Sequence, residues 1–135
     1  MIDTYFTQLE HILQQFLPIR SYTLKKKVYN TKQGCITGSI IFEHGSRLDF
    51  MEVKNTDVQA KIKYRYQYMT IHQELIFRYD NAPHHPYLKT FPHHKHLPQG
   101  EEESEEPTLE EVLLEIAQHE RKKGHNMFEI MRKLG

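Results

Sequence analysis

From residue 21 to residue 80 the apolar pattern of this chain repeats every two residues, and that period commits the middle of the molecule to β-structure. The clearest stretch sets Ile62, Tyr64, Tyr66 and Tyr68 on one side and Lys61, Lys63, Arg65 and Gln67 on the other, an apolar face backed by a basic one. β-Branched and aromatic residues on this period, punctuated by Gly and Asn, predict five strands over 22–29, 35–42, 47–53, 61–69 and 74–79. The gaps are only four or five residues at 30–34, 43–46 and 70–73. Such gaps suit hairpins and an antiparallel meander, because parallel crossovers need a dozen residues or more. Within this pattern Glu52 shares a face with Leu48 and Phe50, while Arg78 and Asp80 share one with Ile76.

Helical periods flank the strands. Tyr5, Leu9, Ile12, Leu13, Phe16 and Leu17 recur at spacings of three and four, and Pro18 stops that stripe. Leu109, Val112, Leu113 and Ile116 form a second stripe, opened by a capping box of Thr108 and Glu111 and closed near Lys122, Lys123 and Gly124. Met127, Ile130, Met131 and Leu134 predict a last short helix from Asn126. The expected fold class is therefore α+β: an antiparallel sheet of about five strands carrying an N-terminal and a C-terminal helix, with a long His/Pro-rich loop at one sheet end.

At 135 residues the chain suits one domain, and 38% hydrophobic residues are enough for a core despite a mean hydropathy of −0.72. The expected organisation is a body over 1–98, an acidic linker over 99–107 and C-terminal helices over 108–135. No apolar run is long enough for a membrane span and no leader pattern is visible, so a cytoplasmic location without membrane partners is expected. The lone Cys35 excludes an internal disulfide framework and a thiolate zinc site, so any metal must be held by His and carboxylate. The neutral total hides a split. Residues 1–98 carry thirteen Lys and Arg against eight Asp and Glu, and residues 99–135 carry five against ten. A mildly basic body suits a polyanion such as RNA, though weakly by the standard of dedicated nucleic-acid binders.

Four of the six prolines and five of the ten histidines lie in 80–98, and a loop so long and so biased is more often functional than idle. No glycine-rich phosphate loop, nucleophile elbow or paired-cysteine motif accompanies it, which disfavours nucleotide-driven, esterase and zinc-ribbon chemistry.

The run Leu75-Ile76-Phe77-Arg78-Tyr79-Asp80-Asn81-Ala82-Pro83-His84-His85-Pro86, continued by Thr90-Phe91-Pro92-His93-His94-Lys95-His96, closely resembles the signature of the TumE-like toxin family of prokaryotic toxin–antitoxin modules. Gly45-Ser46-Arg47-Leu48 with Glu52, and Tyr64-Arg65-Tyr66-Gln67-Tyr68, are similar to the family pattern as well, so the resemblance covers most of 1–119. It implies a small cytoplasmic toxin, neutralised by direct binding of a helix-turn-helix antitoxin encoded beside it, with cleavage of RNA and an effect on translation as the family's supposed mechanism. By motif it implies Arg78, Asp80, His84, His85, His93, His94 and His96 as the site, with Arg47 and Glu52 on the neighbouring hairpin.

Those residue types permit two chemistries. Without a cofactor, two of the histidines would move protons to and from the RNA sugar oxygens, Asp80 or Glu52 would orient one of them, and Arg78 would grip the phosphate. No cofactor is then needed. With a divalent metal, His94 and His96 would share a face if extended, His84 or His85 would close from the other arm, and Asp80 would add an oxygen. The plainer alternative is a rigid plug whose imidazoles satisfy buried backbone groups. Two other functions stay open: an inhibitor that acts on the ribosome or another target by binding alone, and a metal-dependent phosphodiesterase of small nucleotides.

Overall fold

A computed structural model describes residues 1–16, 18–83 and 86–124. Its elements run α1 (Ile2–Gln15), β1 (Ile19–Val28), β2 (Gln33–Phe42), β3 (Arg47–Asn55), β4 (Lys63–Met69), β5 (Leu75–Asp80), β6 (His94–Leu97), β7 (Gly100–Glu103) and α2 (Leu109–Lys122). The strands form one sheet in chain order, each antiparallel to the next, so the expected meander and the α+β class both hold. The sheet has seven strands, however, and not about five. The extra two come from 94–97 and 100–103, expected within the loop and the acidic linker, so the predicted 80–98 loop is cut short at its C-terminal end. They turn on Pro98-Gln99, with Leu97 opposite Gly100, and align Lys95 with Glu102 and His96 with Glu101. Opposite charges across a ladder stabilise the pairing that apolar residues provide elsewhere. The short helix expected from Asn126, together with Leu17, His84 and His85, lies outside the described residues.

Both helices cover one face. Ile36, Ile40, Leu48, Phe50, Tyr66, Tyr68, Phe77 and Tyr79 point to that face and meet Phe6, Leu9 and Leu13 of α1 and Leu109, Val112, Leu113 and Ile116 of α2. Gly38 allows Phe50 to lie across β2, since a Cβ there would sit 2.2 Å from its ring. At the β2–β3 turn Gly45 adopts φ +87°, a left-handed value that glycine tolerates best. α2 starts on the expected capping box: the Glu111 amide donates to Thr108 Oγ1 at 3.1 Å and the Thr108 amide to Glu111 Oε1 at 3.0 Å. β4 begins two residues later than expected. Ile62 is exposed, and Lys61 is buried, with its Nζ donating to the Pro107 carbonyl at 2.7 Å.

The tyrosines of β4 fill the core while each hydroxyl reaches a polar partner, as buried phenols require. Tyr64 pairs with His93 Nδ1, Tyr66 donates to Glu52, and Tyr68 meets Ser46 and Glu120. Burial, reinforced by Glu52 for Tyr66 and by Glu120 for Tyr68, raises these phenols well above their ordinary pKa. On α2, His119 packs edge-on to Tyr68 with its Nε2 buried and unpaired. Burial lowers its pKa below 6.5; Lys123 and Lys122 add to that, and Glu120 and Glu115 oppose it. A lowered folded pKa means that stability present above about pH 6.5 is lost as pH falls through the lowered value. Urea unfolding at pH 7.5 and pH 5 will show a smaller acid loss in His119→Phe than in the parent chain, and equal losses would assign the acid sensitivity elsewhere.

A candidate active site on the open sheet face

Residues two apart on a strand share a face, so Arg78 and Asp80 of β5 point away from the helices. β6 pairs His96 with Arg78 and His94 with Asp80, which brings both imidazoles to that side. The four side chains form one cluster. His94 Nε2 lies 2.9 Å from Asp80 Oδ1, His96 Nε2 lies 3.3 Å from Asp80 Oδ2, and the two Nε2 atoms are 2.9 Å apart. Arg78 Nε donates to Asp80 Oδ2 at 3.1 Å, and the Ala82 amide donates to Oδ1 at 3.0 Å.

The outer nitrogens of the imidazoles are also engaged. His94 Nδ1 donates to the Pro92 carbonyl at 2.9 Å, and His96 Nδ1 faces Glu101 Oε1 of β7 at 3.5 Å. Asp80 and His94 are almost wholly buried, whereas a third of the Arg78 side chain is exposed and forms the accessible rim. Burial, and then the charge of Arg78, push the His96 pKa below 6.5; Asp80 pulls it up, His94 down and Glu101 up.

The face continues across the sheet. Arg65 of β4 stands opposite Asp80, Met51 of β3 opposite Arg65, and Lys63 lies on the same side. Beyond them a depression of about 440 Å³ is lined by Lys25, Thr37, Ser39, Arg47, Asp49 and Arg65. No described helix packs on this face. The buried cluster therefore opens onto a strip rich in Arg and Lys, which suits a phosphate-bearing ligand.

Not every expected residue joins. Arg78, Asp80, His94 and His96 come together; His84 and His85 lie outside the described residues. His93 stacks on Tyr64, ring centroids 5.8 Å apart, and bonds its hydroxyl. Arg47 shares the open face but stands on β3, two strands from β5, with its Nε on Asp49 Oδ1 at 2.7 Å. Glu52 is fully buried on the opposite face, where it accepts from Tyr5 of α1 and from Tyr66. Its charged neighbours are satisfied too: Lys54, its pKa lowered chiefly by burial, donates to the Val58 and Gln59 carbonyls. Two neighbours of the cluster were not singled out as site residues by the sequence: Arg65, which stood there as part of the basic strand face and of the Tyr64–Tyr68 run, and Glu101, hidden in an acidic run.

The family described as Toxin TumE matches over residues 8–121, most of the chain and all four clustered residues. Neither the curated proteins nor the solved structures contain a match. Among the described residues no helix is long and apolar enough to cross a membrane.

Proposed function

The chain belongs to the TumE toxin family, and from that premise we propose that it is the toxin of a toxin–antitoxin pair, arresting growth by cleaving RNA in a way that blocks translation. A helix-turn-helix antitoxin that binds the toxin directly is its proposed partner. The observation that carries the reading is the convergence of Arg78, Asp80, His94 and His96 on the face that also presents Arg65 and Lys63.

In the proposed reaction a 2′-hydroxyl loses its proton and its oxygen bonds to phosphorus. The bond to the 5′-oxygen breaks, and that oxygen takes up a proton. Arg78 suits the charge building on the non-bridging oxygens, because its fork binds two of them at once. The histidine pair cannot be a base and an acid on opposite sides of phosphorus. Each would touch its own oxygen at about 2.6–3.2 Å, setting the two nitrogens roughly 6 Å or more apart, whereas these are 2.9 Å apart. His94, His96 and Asp80 therefore serve one side of phosphorus, where they take the 2′-hydroxyl proton, and water supplies the proton to the 5′-oxygen on the other.

The test is tag-free full-length chain incubated with total RNA, with and without ribosomes. Fragmentation by the parent chain supports the reading, and intact RNA from a protein that still arrests growth replaces it with inhibition by binding. The strip predicts its own result. Arg65→Ala will weaken binding of single-stranded RNA and flatten its salt dependence by about 0.7 in the log–log slope for each phosphate the chain no longer neutralises. An unchanged slope would route the RNA elsewhere.

A further inference from the structure

We propose that Asp80, His94 and His96 form a site for one divalent first-row transition-metal ion. The inference deepens the reading of this cluster as the reaction centre and rests on that reading for its purpose, but its test is independent of RNA.

The hydrogen bonds around the imidazoles carry the argument. A carbonyl can only accept, so the bond from His94 to Pro92 puts the proton on Nδ1 and leaves the Nε2 lone pair of the neutral ring aimed at Asp80 and His96. The Glu101 carboxylate beside His96 Nδ1 favours the same tautomer there. Two lone pairs and an anionic carboxylate thus converge, at separations of 2.9, 2.9 and 3.3 Å. One proton bridges one of those separations, and two protons would set like charges 2.9 Å apart. A cation in the middle would lie within reach of one ligand atom from each residue.

The spacing fits as well. One ligand atom from each residue lies within 4.8 Å of the others, His94 Nε2 meeting Asp80 Oδ1 and His96 Nε2 meeting Oδ2, and the two Nε2 atoms are 2.9 Å apart; adjacent donors on an octahedral ion with bonds of about 2.1 Å stand about 3.0 Å apart. Two imidazoles and one carboxylate favour Mn²⁺, Fe²⁺, Co²⁺ or Zn²⁺ over the all-oxygen preferences of Mg²⁺ and Ca²⁺. The outer partners resemble those that orient metal ligands: a carbonyl and a carboxylate on the distal ring nitrogens, and the Ala82 amide and Arg78 on Asp80.

The experiment is a Co²⁺ titration of tag-free full-length chain, stripped of metal by chelator and dialysis, read by visible absorption and by equilibrium dialysis. One equivalent should bind with a ligand-field spectrum. Asp80→Asn and His96→Gln should each weaken binding about 100-fold or more, and Glu101→Gln by about 10- to 100-fold. His72→Ala, on the exposed β4–β5 turn, should leave binding unchanged. The urea midpoint of each variant identifies those that stay folded, and His96, less buried than His94, is the more tolerant position. No uptake, or uptake that survives both Asp80→Asn and His96→Gln, overturns the site. Stoichiometric Co²⁺ with no RNA cleavage supports the site while rejecting the ribonuclease, and cleavage by a chain that takes up no metal does the reverse.

Discussion

On the proposed function, Asp80→Asn will cut RNA cleavage by about 10²- to 10⁴-fold, and growth arrest with it, while the chain stays folded. The amide keeps the shape of the carboxylate but not its charge, and that charge is the common partner of Arg78, His94 and His96. Without it the Arg78 fork is released from its anchor, the imidazoles lose the group that aligns them, and the proposed metal site loses the carboxylate among its three ligands. Because Asp80 is nearly buried, the variant will also lose about 1–3 kcal/mol of stability. Activity and stability must therefore be measured on the same preparation, as RNA turnover beside a urea midpoint. Cleavage within a few-fold of the parent chain would remove this cluster from the reaction.

Glu52→Ala will have the opposite character, a large loss of stability. The carboxylate accepts from two phenols on different elements, Tyr5 of α1 and Tyr66 of β4, and the second is wholly buried. Deleting it strands both hydroxyls and opens space beneath α1. Stranded buried donors cost about 1–3 kcal/mol each, so the total should be roughly 3–5 kcal/mol. In a domain of this size that corresponds to a fall in Tm of roughly 10–20 °C. Glu52→Gln retains an acceptor and should lose much less. A loss below about 1 kcal/mol for Glu52→Ala would mean that the hydroxyls find other partners. The pair of variants also guards against misreading: a Glu52→Ala chain that fails to arrest growth will have failed by unfolding, since Glu52 and Asp80 face opposite sides of the sheet.

The parity of β4 made the sheet legible, because Tyr64, Tyr66 and Tyr68 declare a buried face and Lys63 and Arg65 an open one. Thr108 and Glu111 announced α2 through a bond pattern that is entirely local. β6 and β7 were illegible for a physical reason. His-Lys-His-Leu and Gly-Glu-Glu-Glu contain no β-branched residue and no Phe, Tyr or Trp, and the contacts of these strands, His96 with Glu101 across the ladder and Lys95 with Glu115 of α2, appear only in the folded chain. The site was legible by residue type but not by selection. His93 and His94 are adjacent in sequence, yet one bonds Tyr64 and the other Asp80, because on a strand neighbours face opposite ways and only register decides which. Arg65 acquires its place opposite Asp80 from the same register.

The serial order of the sheet bears on when the candidate site is assembled. Each strand needs only its predecessor, so β1 to β5 can pair as they leave the ribosome. Asp80 emerges among these early strands but meets no imidazole partner from β6 until residues 94–97 follow. The lid over Tyr68 and Tyr79 comes later still, with Glu120 and Glu115 of α2. A growing chain thus lacks the imidazoles of the cluster until β6 has emerged, and its Tyr68 and Tyr79 hydroxyls lack their carboxylate partners until α2 follows.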